Sequence, residues 1–442
     1  MASFARHRTV RPARPGRVAA VCGVNGMDGG TKRGFFGWTV VWAAFALAVC
    51  GWGLGFYGPP IYLHVIHQTR GWPLGLVASA ITVHYLAGAL TVANLPGLHA
   101  RWGLARVTRA GALALGLGIV GWSLAAAPWQ LFVAALVSGL GWATLGAAAV
   151  NAIVAPWFGR GRPAALAWAY NGASVGGILM SPLWVLAIQA VGFPLAAMAI
   201  AAVVIVVLWV LAGRVLVHSP ASLGQAPDGD GAAAAEAAAA APDHAALPAS
   251  ALWRDRRFRT LAAATALGLF AQAGLLAHLF SLIVPALGEV RAGIAMAAST
   301  LAAVAGRTVL AWVMPRDADR RLIAAASYAV QVAGCGALLL SHGTDPWLIW
   351  SGVALFGLGI GNLVYLPPLI AQAEFARVDV PRVVALTVAL GQALYAFAPA
   401  AFGLVREAAP AGTGPGDAPF VHGLAALVFL AAIAMLLAGR RT

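Results

Sequence analysis

The 442 residues are 61% hydrophobic and only 10% charged, with 52 glycines and a mean hydropathy of +0.84. A soluble domain carries about 25% charged residues, so a water-covered globule is excluded and the bilayer must be the solvent. The formal charge of +14 does not point to nucleic acid, because the basic residues lie in short loops and tails between apolar runs.

In chain order, residues 1–34 hold Arg6, Arg8, Arg11, Arg14, Arg17, Lys32 and Arg33. They lack the short apolar core and small-residue cleavage site of a secretory signal. They read as a disordered cytoplasmic N-terminus, within which Met27 offers an alternative start. Apolar segments of about 20 residues then recur, the length that crosses roughly 30 Å of hydrocarbon. Six fall at about 36–57, 74–95, 107–127, 130–154, 163–189 and 193–213, forming an N-terminal half over 35–213. A polar stretch at 214–258, with a turn-like Ala226–Gly231 and an alanine tract, reads as a flexible cytoplasmic linker. Six more spans fall at about 260–286, 291–314, 320–341, 346–373, 382–405 and 419–438, a C-terminal half over 259–442. The expected fold is all-α, with twelve transmembrane helices as two six-helix halves.

Twenty-four of the 28 lysines and arginines lie in the N-terminus, the linker, the C-terminus and every second loop. The alternate loops hold Arg70, Arg291 and Arg406. Positive charge marks the cytoplasmic side, so both termini are expected in the cytoplasm of a multi-pass protein of the inner membrane. The three cysteines, Cys22, Cys50 and Cys335, have neither disulfide nor metal-ligand spacing. No metal and no cofactor is expected.

The halves echo each other. Gly139-Leu140-Gly141 stands 24 residues before Pro163, and Gly357-Leu358-Gly359 stands 24 before Pro381. A duplication of six helices explains the match, and such paired halves commonly form a substrate site where they meet. The sixth and twelfth spans are nearly featureless, while the second, fifth, seventh, eighth, tenth and eleventh carry polar residues, as cavity-lining helices do. Pro59-Pro60 and Pro367-Pro368 remove backbone donors and are expected to bend or end helices one and ten.

Phe36-Gly37-Trp38-Thr39-Val40-Val41, then Trp157-Phe158-Gly159-Arg160-Gly161-Arg162-Pro163, then Asn171-Gly172-Ala173-Ser174-Val175-Gly176-Gly177 with Pro182 form a recognisable set. These segments resemble the major facilitator superfamily, and within it the branch of monocarboxylate-transporter-like and oxalate/formate-antiporter-like carriers. The resemblance implies a conformational loop motif after helix two. This chain keeps Arg101, Gly103 and Arg106 but has Ala100 where the family has aspartate. It also implies an arginine in helix eight, matched by Arg307, with an aspartate four residues earlier, where this chain has Ala303. No counterpart to the first-helix lysine of some such carriers occurs near Phe56–Gly58.

Arg307 is the one cation of 28 outside loops and helix ends, and all 14 acids fall in tails, loops or helix ends, with Glu374 the closest to intramembrane. A guanidinium cannot shed its charge by losing a proton, so an anionic substrate would supply what the chain lacks. Snorkelling toward Pro315, about 12 Å along the helix, and satisfaction by backbone carbonyls are the structural alternatives. His84 and His278 are candidates for proton coupling, and His278, which resembles a family histidine, also for substrate contact. Each is alternatively a neutral histidine bonded to a neighbouring helix. Tyr170, Asn171, Gln272, Asn362, Tyr365, Gln392 and Tyr395 form a second tier of possible carboxylate donors, although interhelical hydrogen bonds are the commoner use of such residues.

These features read as a secondary transporter moving a small organic anion, with a carboxylate expected, by alternating access, proton-coupled or by exchange. Its partners would be that small molecule and the lipid bilayer, with the protein a monomer and no nucleic acid bound. The alternative is an exporter of a larger amphipathic compound with a structural Arg307. A membrane enzyme would need buried acid–base groups, and a transporter-like sensor a signalling domain. Neither is found in the sequence.

Overall fold

The computed structural model describes residues 35–229, 249–315, 318–376, 378–408, 414 and 416–440. The basic N-terminus and the alanine tract lie outside the described residues. Helices, and no strands, occur among those described. The N-terminal half contains α1 (Gly37–Gly55), α2 (Pro59–Arg70), α3 (Leu74–Trp102), α4 (Leu104–Leu124), α5 (Pro128–Ala143), α6 (Ala147–Val154) and α7 (Arg162–Arg214). After the short α8 (Ala249–Arg254), the C-terminal half contains α9 (Arg256–Leu287), α10 (Glu289–Val313), α11 (Arg320–Leu340) and α12 (Pro346–Glu374). It ends with α13 (Val380–Tyr395), α14 (Ala398–Glu407) and α15 (Pro419–Ala438).

Among the described residues, eleven helical runs are long and apolar enough to cross a bilayer, and one of them counts twice. The 53 residues of α7 would extend about 80 Å at 1.5 Å per residue, far beyond one hydrocarbon layer. At Gly192 the backbone turns to φ 79°, ψ 160°, a region that glycine enters without steric cost. Spans five and six therefore lie on either side of Gly192, and twelve crossings result. Three others are interrupted: span one between α1 and α2, span four between α5 and α6, and span eleven between α13 and α14. Pro59-Pro60 start α2 as expected, but Pro367 and Pro368 do not end helix ten. The helix runs unbroken from Pro346 to Glu374. Each ring removes one backbone bond, a loss that membrane helices tolerate.

The repeated glycine pairs do equivalent work in the two halves. A Cβ on Gly139 would strike the carbonyl of His84 on α3, and one on Gly141 the backbone of Leu115 on α4. In the second half a Cβ on Gly357 would strike the carbonyl of Ser299 on α10, and one on Gly359 the side chain of Gln331 on α11. Span four thus touches spans two and three as span ten touches spans eight and nine.

The halves meet where α2 packs on α9, α3 on α14 and α7 on α10. Near one end, Glu407 accepts a hydrogen bond from the Gly75 amide at 2.6 Å, and Glu289 accepts one from Gln189 at 2.7 Å. His64 stands 3.8 Å from Glu289, and the Ala400 amide donates to Thr82 at 3.2 Å. Toward the other end, the segment after α7 folds back on its own half. The Asp228 carboxylate accepts from three successive amides, Gly159 (3.0 Å), Arg160 (2.7 Å) and Gly161 (3.1 Å), while Gln225 accepts from the Phe36 amide at 3.0 Å.

The most buried arginine is Arg321, 1% exposed, near the start of α11. It holds Glu374 with two bonds of 2.6 and 2.8 Å and also donates to Thr260 and the Arg257 carbonyl. Breaking a buried pair strands the remaining charge, so Arg321→Met should cost about 3 kcal/mol, read as a lower unfolding temperature in detergent. Asp319 caps the same helix through the amides of Arg321 and Leu322 and pairs with Arg440 at 2.6 Å. Burial acts to raise its pKa, but the bonds from Leu322, Arg440 and Arg321 together outweigh it and hold the group below its ordinary value. A depressed carboxylate stabilises above its unfolded pKa and loses that contribution as pH falls through the folded one. Asp319→Asn should therefore be less stable than wild type at neutral pH, and the gap should close as pH falls below about 3.9, measured by thermal unfolding across pH.

Candidate functional site

Arg307 stands on α10 where that helix comes closest to α12. A Cβ on Gly306 would strike the Leu358 carbonyl, and one on Gly361 the Ala303 carbonyl, with the Arg307 Cβ 3.2 Å away. This contact at glycine sets the half-buried Arg307 side chain at the junction with the other half. Its Nη2 donates to the side-chain oxygen of Asn171 on α7 at 3.4 Å. Among the described residues no carboxylate pairs with it. Ala303, at the position of the family's aspartate, is buried.

Thr300, two turns earlier on α10, contacts Tyr57 at the break of span one. The side chains of Tyr57 and Thr300 lie together against Gly177 of α7, where an added Cβ would strike both. Tyr395, the last residue of α13, meets Tyr85 of α3 edge to face at 5.3 Å between ring centroids. Arg307, Asn171 and Tyr395, all expected from the sequence, thus lie at the seam between halves. They are joined there by Tyr57, Tyr85 and Thr300, which the sequence reading did not select. A tyrosine directly before Gly58-Pro59-Pro60 was the available signal for Tyr57.

Other expected residues lie elsewhere. Gln272 donates to Gln331 at 2.7 Å inside the C-terminal half. Asn362 donates to Ser327 at 3.1 Å beside a small cleft in that half. The Tyr170 hydroxyl donates to the Ala147 carbonyl at 3.0 Å. Tyr365 and Gln392 are half-buried on α12 and α13. His278 is fully buried, one nitrogen 3.0 Å from the Pro399 carbonyl and the other without a partner. His84 stacks on Trp142 at 5.4 Å, with one nitrogen 2.8 Å from Ser138 and the other 3.0 Å from the Gly55 carbonyl. Arg101 and Arg106 are exposed, and Gly103 turns the chain between α3 and α4 at φ 79°. Arg162 donates to the carbonyls of Phe158 and Ala155, and the Arg160 amide holds Asp228. An aromatic cleft of about 270 Å³ lined by Trp38, Val41, Trp42, Phe45 and Trp168 has no charged residue in its wall.

The paired six-helix halves, with a glycine repeat doing equivalent work in each, have a counterpart in sequence: residues 41–399 match the model of the Major Facilitator Superfamily. The chain belongs to the major facilitator superfamily. Its architecture is similar to the nucleoside transporter NupG, with a TM-score of 0.66, 15% identity, and 90% of this chain and 98% of that one covered. A point mutant of NupG gives a TM-score of 0.68 at 13% identity, covering 90% and 99% of the respective chains. At such identities the likeness is one of fold. No curated protein matches the chain in sequence. The superfamily makes this a membrane transporter rather than an enzyme.

Ser138 is the shared partner of the His84 ring and the Trp122 indole, the latter at 3.0 Å. Ser138→Ala strips both, and a buried polar group left without a partner costs about 1–3 kcal/mol. A fall in unfolding temperature of that size is expected in a detergent melt.

Proposed function

We propose that this transporter moves a small organic anion, a carboxylate, across the cytoplasmic membrane by alternating access, coupled to protons or by exchange. The observation that carries the reading is the Arg307–Asn171 bond. A permanent cation of one half reaches a neutral amide of the other, so its charge is solvated but not compensated. A carboxylate entering between the halves would supply the missing charge and match the forked donors of the guanidinium. Because the bond spans the seam, a ligand that replaces Asn171 would act on both halves at once, as alternating access requires. The resemblance to monocarboxylate and oxalate/formate carriers supports the same substrate class. We further assign the arginine-rich loops and both termini to the cytoplasm on the positive-inside bias, with a monomer as the working unit. In that orientation Glu289 and Glu407 join the halves at the outer end.

Flux into proteoliposomes, measured with a panel of radiolabelled carboxylates, tests this. Arg307→Ala should lower carboxylate flux at least about tenfold, the worth of one charge-assisted bond. Arg307→Lys should retain part of it, keeping the charge but not the fork. Undiminished carboxylate flux in the alanine variant would instead favour a larger amphipathic cargo and a structural arginine.

A further inference from the structure

The aromatic groups at the seam have a direction and an order that packing alone does not demand. Tyr57 meets Phe56 at 5.2 Å, Phe56 meets Tyr85 at 6.2 Å, and Tyr85 meets Tyr395 at 5.3 Å. The row begins at the break of span one and ends at the break of span eleven, so it crosses from one half to the other. Trp142 backs it, 5.4 Å from Tyr85, and its indole N–H is buried with no partner. At the Tyr57 end the row reaches Thr300 beside Gly177, two turns before Arg307 on the same helix. On one side of the row Glu407 and Glu289 hold the halves together, and on the other Arg307 waits on Asn171.

We propose that Tyr57, Phe56, Tyr85 and Tyr395 form an aromatic roof over the Arg307 site, and that the cargo is an aryl carboxylate, ring against the roof and carboxylate on the guanidinium. The proposal rests on the carboxylate reading above and narrows it. Rings prefer to meet other rings edge to face or offset, at 4.5–7 Å between centroids, and the row already uses that spacing. An incoming ring extends it, whereas a saturated chain of equal volume gains only the burial of its surface. Three of the four residues, Phe56, Tyr57 and Tyr395, flank helix breaks, where the backbone adjusts most readily to a ligand. The roof draws on both halves, so a ring seated there would bear on their relative position as well as on the affinity.

The test is calorimetric titration of the purified full-length protein with benzoate, cyclohexanecarboxylate, acetate and the uncharged benzamide, using wild type, Tyr85→Leu, Tyr395→Leu, Tyr85→Phe and Arg307→Ala. Wild type should bind benzoate about tenfold more tightly than cyclohexanecarboxylate, the effect of one good aromatic contact. Either leucine variant should bring that ratio below about threefold, while Tyr85→Phe, which keeps the ring, should preserve it. Arg307→Ala should weaken benzoate to the level of benzamide. Equal affinity for benzoate and cyclohexanecarboxylate in wild type, with dependence on Arg307 intact, overturns the roof and leaves the carboxylate reading standing. Benzamide binding as tightly as benzoate overturns the carboxylate reading while ring recognition survives. Binding of none of the four overturns both.

Discussion

Contact of backbone with backbone at glycine is the interaction on which the rest of this structure depends. In a bilayer the helices gain little by hiding apolar surface from lipid that is equally apolar, so close approach and dispersion must hold them. Gly139, Gly141, Gly357 and Gly359 draw the central span of each half against its neighbours, and Gly172 and Gly176 draw α7 against α1. Gly306 and Gly361 do the same for α10 and α12. The last contact places Arg307, because a residue adjacent to such a crossing has its side chain directed along the edge of the helix pair. Here that edge faces the other half.

The two deep arginines show how differently one cation can be treated. Arg321 donates to both oxygens of Glu374, a hydroxyl and two carbonyls, and ties together the ends of four spans. Its charge is answered from within the half, which makes it part of the frame. Arg307 has only the oxygen dipole of an amide from across the seam. A cation answered by a dipole retains most of its field, and that field falls where the halves separate. The contrast between a settled charge and an unsettled one is the physical ground for the substrate role proposed for Arg307.

Much of the fold was legible because hydrocarbon thickness dictates the length of an apolar run. The twelve spans and the repeat follow from distances along the chain, while Arg307 stood out by charge alone. What was not legible concerns direction around each helix. For Gln272 and Asn362 a one-dimensional reading leaves both carboxylate contact and interhelical bonding open, and each bonds a partner 59 or 35 residues away. A helix bathed in lipid on one side and packed on the other is apolar on both, so its sequence carries little record of which side is which. Arg321 reads as a loop residue for a related reason. Its depth is set by Glu374, 53 positions on, and not by its own neighbours. Pro367 and Pro368 misled because a proline removes one bond, and a long helix held by its neighbours survives that loss.

The carboxylate of Asp228 also changes the mechanics of the connection between the halves. Through Gln225 on the Phe36 amide and Asp228 on the Gly159, Arg160 and Gly161 amides, the chain after α7 is tied to the N-terminal half as far as Asp228. Every one of these bonds joins the segment to its own half, so this stretch of the connection belongs mechanically to the N-terminal half and takes nothing from the contacts across the seam.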